Sequence, residues 1–230
     1  HQGFWLAMLL SVPGVLFLIH PDALLGLADM DAAVDAKVRQ YLAILAWSLP
    51  AALVYRTFYA FCNALGKPRV LMAIGLASRG VHAVLARGLA LEGWLGEPLG
   101  VAGCALSNVL IGWAACLSGA AYLAWGPLRA PYRPFADWQR PRWPAWRELL
   151  RIGLPMGFSN LVEITSFTLI ALFIASLGAP VVAGHRVVAN LSALVYMLPL
   201  SLAIATMAAL GQAIGARDRQ RAKATIRAGL

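Results

Sequence analysis

The run GLPMGFSNLVEITSFTLIALFIASLG, residues 153–178, decides how this chain is read. It is apolar over more than the roughly 20 residues that a helix needs to cross the hydrocarbon of a bilayer. Yet Glu163 stands near its middle. An ionised carboxylate at that depth is costly, so such groups face a bundle interior or a wet cavity and tend to mark ion or substrate routes. Ser159 lies four residues before Glu163, Asn160 three before and Ser166 three after, which puts all four on one side of a helix. Of the ten acidic residues in the chain, Glu163 alone is deep inside an apolar run, and the others fall in connections or at span ends. Two readings fit these facts. The acid can serve an ion pathway, or it can be a protonated structural group bonded to Asn160 or to another helix. Ser159, Asn160 and Ser166 carry the same pair of readings, because Ser and Asn bond between membrane helices without any role in transport.

The rest of the chain agrees with a membrane setting. Sixty per cent of its residues are hydrophobic and 13% charged, and the mean hydropathy is +0.71; soluble domains carry roughly 25% charged residues. Six spans are expected, over residues 3–20, 41–65, 70–92, 99–125, 149–177 and 184–213. All should be helices, since unpaired backbone in lipid is too costly and the runs are too long and evenly apolar for barrel strands. The fold class is therefore all-α and integral to the membrane.

The connections carry the formal charge of +9 unevenly. Lys67 and Arg69 in the turn after span two, five arginines (Arg129, Arg133, Arg140, Arg142 and Arg147) after span four, and the run ARDRQRAKATIR after span six alternate with connections poor in excess base. By the positive-inside rule these three face the cytoplasm. Such clustering in loops points to membrane orientation rather than to a nucleic-acid partner. The connection at 126–148 holds five prolines together with Trp138, Trp143 and Trp146, which suit the headgroup layer. It reads as a cytoplasmic linker dividing a first group of helices, 1–125, from a second, 149–230.

Cys62, Cys104 and Cys116 fall within apolar runs without CxxC spacing and read as packing residues. Clustered acids, a metal-ligand set and a Ser/His pair at membrane depth are all missing from the pattern, so neither a metal site nor an enzyme is expected. Pro50, Pro155 and Pro199 lie inside spans, where each frees a carbonyl and permits bending. The first residue is His1, with no signal-peptide pattern after it, and the chain reads as a fragment.

At this point the residues carry a resemblance. LLRIGLPMGFSNLVEITSFTLIALFIASLG (149–178) and AGHRVVANLSALVYMLPLSLAIATMAALGQAIGARD (183–218) resemble the seventh and eighth helices of the multidrug and toxic compound extrusion (MATE) family, in its bacterial branch with a glutamate in the seventh helix. YLAILAWSLPAALVYRTFYAFCNALGKPR (41–69) is similar to the fourth helix and its turn, and LGEPLGVAGCALSN (95–108) to the entry of the sixth. The resemblance implies a two-lobe transporter of twelve helices, of which helices three to eight would be present here. It further implies export of lipophilic, mainly cationic drugs and toxins across the bacterial inner membrane in exchange for sodium ions or protons, by a monomer without a cofactor.

Under the same resemblance Glu163 is the coupling acid, with Asn160, Ser159, Ser166, Asn190 and Tyr196 as candidates to line the ion and substrate site. Departures also show. Ala83 and Arg87, with Arg79 nearby, stand where that branch often has asparagines in its fifth helix; His185-Arg186 replaces a His-Gln pair; and Tyr59 takes the place of an arginine, with Arg56 a turn earlier. The basic pair Arg56 and Arg79 keeps a rival reading open, a lipid or polysaccharide flippase of related two-lobe architecture. Such a protein would line its cavity with cations for anionic headgroups.

Overall fold

The computed structural model describes residues 1–22, 32–94, 99–126, 139–175 and 178–229, and their regular structure is helical throughout. Asp29, Asp31, Glu97, Arg129, Arg133, Asp137 and Trp138 lie outside the described residues. The chain divides into two compact units, His1–Asn63 with Lys67–Arg142, and Ala64–Gly66 with Trp143–Leu230.

In the first unit, helix α1 (Gln2–Ile19) packs on α2 (Ala32–Ala46), and α2 packs on α5 (Val101–Trp125). The span expected over 41–65 is instead a pair, α2 and α3 (Ser48–Ala64), meeting at 41°. Pro50 explains the break. It has no N–H to offer the Ala46 carbonyl, and its ring crowds that carbonyl. The local bonds tighten accordingly, with Trp47 N donating to the Ile44 carbonyl at 3.2 Å and Ser48 Oγ to the Leu45 carbonyl at 2.7 Å. From the side, Trp113 Nε1 on α5 donates to the Trp47 carbonyl at 3.0 Å.

Gly66, at φ +65°, takes the left-handed conformation that turns the chain into α4 (Pro68–Arg87). Pro68 at the start of α4 loses no bond, because first-turn N–H groups have no intrahelical partner. Phe58, Cys62 and Leu71 form the core beneath this turn, with Tyr55, Tyr59, Ile74 and Tyr122 against them. Phe58 meets Tyr122 edge to face at 6.4 Å between ring centres. It fits because Gly119 of α5 is buried and has no side chain there; a Cβ would stand 2.8 Å from the Phe58 ring.

The end of α4 widens into a π turn, Gly88–Glu92. Leu99 N and Gly100 N return to its Leu89 and Ala90 carbonyls at 3.1 and 3.2 Å, closing the reversal into α5. At the other end of the unit, Gln2 holds both sides of a backbone segment, donating to the Arg140 carbonyl and accepting from Arg142 N, each at 2.9 Å. Beside α2, Arg39 bonds Asp35 at 2.7 Å and also Asp22. The hydrogen bond and charge of Arg39 hold the exposed Asp22 carboxyl below its usual pKa. That contribution is present above the ordinary carboxylate pKa and is lost as pH falls through the lowered one.

The second unit contains α6 (Trp143–Ala175), α7 (Ala179–Gly215) and α8 (Arg219–Gly229), with α7 packed on both others. The linker expected over 126–148 is shorter at its end, because Trp143–Glu148 already belongs to α6. Pro144 sits in the first turn, where its missing N–H costs nothing. Likewise the span expected over 184–213 starts earlier, since α7 begins at Ala179. Pro155 and Pro199 both remain inside continuous helices. Among the described residues five helices have the length and hydropathy to cross a membrane, and six spans result if the bent pair counts as one.

Candidate ion and substrate site

The site is built on α6, whose spanning part runs from Trp143 to Ile174. Glu163 is four to five residues past the midpoint of that span, about 7 Å along the axis at 1.5 Å per residue. The half-thickness of a bilayer core is about 15 Å. With the span centred on the bilayer, the carboxyl lies within the hydrocarbon, toward mid-membrane. Ser159, Asn160, Glu163 and Ser166 fall within an arc of about 120° and a length of about 10 Å on this helix.

Around them the helix surface is largely apolar, with Leu161, Ile164 and Phe167 all exposed. A helix of that kind needs lipid or further protein around it. The polar stripe, and above all Glu163, is the part of this segment that lipid would most disfavour. Its members are not equivalent. Ser166 Oγ donates to the Val162 carbonyl at 2.7 Å, so its proton is already satisfied within its own helix. Thr168 does the same toward Ile164 at 2.9 Å. Among the described residues no ion pair or hydrogen bond engages the Glu163 carboxylate, which is exposed together with Asn160 and Ser159.

Asn190 and Tyr196 are on α7 and both are exposed. Six residues apart, they are separated by about 120° around the axis, so they occupy different sides of that helix. Among the described residues no hydrogen bond joins either to Glu163. His185 is half-buried near the start of α7.

The cations of the first unit are also placed. Arg56 and Arg79 are exposed on α3 and α4, and Tyr59 packs against the Phe58 core. Ala83 is exposed one residue beyond His82, whose Nε2 is buried without a hydrogen-bond partner. Arg87 ends α4 and pairs with Glu92 at 2.8 Å, while Trp94 Nε1 donates to the other Glu92 oxygen at 3.0 Å. This Arg87, Glu92 and Trp94 group is missed by sequence reasoning. Residues five apart do not face each other on an α-helix, and only the extra residue of the π turn brings them together. Gly88 and Gly93 bracketing the turn are the one signal of it.

Comparison with known proteins gives the family to which these helices belong. A family model described as MatE matches residues 1–87 and 155–230. The chain is 52% identical over 229 residues to the probable multidrug resistance protein NorM of Aromatoleum aromaticum, covering 100% of this chain and 50% of that protein. It is 31% identical over 231 residues to the multidrug resistance protein NorM of Aliivibrio fischeri, again covering 100% and 50%. With the probable multidrug resistance protein NorM of Chromobacterium violaceum the identity is 33% over 224 residues, covering 96% and 48%. The chain thus spans about half the length of the curated relatives it matches.

Proposed function

The chain belongs to the MatE family, and from that premise we propose that it works as part of a cation-coupled antiporter exporting lipophilic, mainly cationic drugs across the bacterial inner membrane. The observation that carries the reading is Glu163, a lone acid near mid-membrane on a polar stripe of α6. A carboxylate there is stabilised by whichever cation reaches it, a proton, a sodium ion or an organic cation. Three ligands competing for one group couple their fluxes, because each must leave before the next can bind. The driving force is adequate, since one charge moving down 100 mV supplies about 2.3 kcal/mol, roughly fiftyfold in concentration.

Asn160 and Ser159 flank the acid and would supply neutral oxygens to the ion or substrate, without any cofactor. Asn190 and Tyr196, on different sides of α7, would contribute one at a time rather than together. Alternating access would come from one group of helices rocking against the other.

Dye efflux by the full-length protein, compared with Glu163→Gln, tests the proposal. Export should fall to background in the variant while expression is retained; unchanged export would remove Glu163 from the mechanism. Separate sodium and proton gradients then identify the coupling ion. Movement of lipid-linked sugar without any ion gradient would instead favour the flippase reading that rests on Arg56 and Arg79.

A further inference from the structure

The short helix α8 has a construction that the transport reading does not use. The C-terminus of α7 closes with Ala216 N donating to the Gln212 carbonyl at 2.9 Å, and with Arg217 N and Asp218 N donating to the Ile214 and Ala213 carbonyls, each at 3.0 Å. Arg217 takes the left-handed conformation, φ +57°, that this type of cap requires. Asp218 then caps α8, accepting from Arg221 N at 2.9 Å. These two caps turn the chain back on itself, and α8 runs beside α7 until Gly229 reaches Thr206. A Cβ on Gly229 would stand 2.5 Å from the Thr206 side chain, so the approach depends on glycine.

The docked side of α8 is small and neutral, comprising the half-buried Ala222, Thr225 and Gly229. Arg219, Lys223 and Arg227 recur every four residues and form an exposed stripe on another side. Asp218, the nearest acid, is engaged as the cap, and among the described residues no ion pair engages these three cations.

Depth identifies what they meet. The 36-residue span Pro180–Gly215 is about 54 Å long, whereas the hydrocarbon is about 30 Å and the whole bilayer about 40–45 Å. Centred on the hydrocarbon, α7 leaves about 12 Å beyond it at each end. Thr206 is nine residues before Gly215, so α8 lies beside the last 14 Å or so of α7, level with the headgroups. We propose that the Arg219, Lys223 and Arg227 stripe binds the phosphates of anionic lipid headgroups and fixes α8 to the membrane surface. The complementarity is of charge and level together, since basic residues near an anionic surface gain about 1 kcal/mol each, roughly fivefold in affinity.

The test uses the full-length protein in phosphatidylcholine vesicles and reads, by electron spin resonance, the association of spin-labelled phosphatidylglycerol relative to spin-labelled phosphatidylcholine. The unmodified protein should prefer phosphatidylglycerol, and Arg219→Gln with Lys223→Gln and Arg227→Gln should reduce that preference by at least about threefold. Arg221→Gln, off the stripe, should leave it unchanged. A triple variant with the original preference overturns the proposal, as does an Arg221→Gln variant that loses as much. If the triple variant does not fold, Lys223→Gln and Lys223→Arg decide, with loss expected only in the first and equality of the two overturning the assignment. No transport is needed for this measurement, so its outcome is separable from that of the Glu163→Gln efflux assay.

Discussion

The indole Nε1 of Trp113 donates to the carbonyl of Trp47 at 3.0 Å, tying α5 to the break between α2 and α3. The bond stabilises a carbonyl that is next to the irregular turn imposed by Pro50, in a setting where lipid offers no donor. Trp113→Phe keeps most of the ring and removes the N–H. It should cost about 1 kcal/mol, seen as a drop of about 2–4 °C in the melting temperature of the detergent-solubilised protein. An unchanged melting temperature would show that water or the surroundings satisfy Trp47 equally well.

Two glycines of α5 should respond differently to alanine. A Cβ at Gly103 would stand 2.7 Å from the Leu89 backbone and 2.9 Å from Ala90 Cα, and backbone in a closed reversal has little room to give. At Gly119 the obstacle is the Phe58 ring, a side chain able to shift. Gly103→Ala should therefore destabilise by about 1–3 kcal/mol, and Gly119→Ala by less. Thermal unfolding of the two variants under identical conditions checks the order, and the reverse order would place the tighter contact at the Phe58 core.

Within the polar stripe of α6, Ser166 and Asn160 should separate. The Ser166 hydroxyl proton is committed to Val162, so Ser166→Ala should leave the half-maximal substrate concentration for export within about twofold. Among the described residues no hydrogen bond engages the Asn160 amide, which shares a helix face with Glu163, and Asn160→Ala should raise that concentration by roughly 2–10-fold, the worth of one hydrogen bond. Equal effects in concentration-dependent efflux would mean that the stripe does not act through individual polar contacts.

Much of the architecture is legible in the chain itself because lipid imposes strict rules. Long apolar runs become helices, and the positions of Lys67, Arg69 and the arginines from Arg129 to Arg147 alternate with less basic connections. The stripe from Ser159 to Ser166 is equally legible, since residues three and four apart share a helical face wherever the helix is placed. Boundaries are harder to read. Trp143–Glu148 resembles a Pro- and Trp-rich loop by composition, yet Pro144 is harmless in a first turn and the segment is helical. Likewise, Pro50 announces a bend, while the position of the break at Trp47 follows from where neighbouring donors are available.

By itself, then, the sequence determined that the chain is a set of membrane-length helices with one acid near the middle of one of them. Apolar periodicity and the cost of a buried charge are local properties that need no knowledge of neighbours. Only the tertiary structure decided that Arg87 pairs with Glu92 across a π turn, that Gly119 makes room for Phe58, and that α8 folds back along α7 to present three cations on one side. Each of these depends on a backbone irregularity or a close approach between segments distant along the chain. Such features are set by the packing that surrounds them, and residue spacing alone carries no record of it.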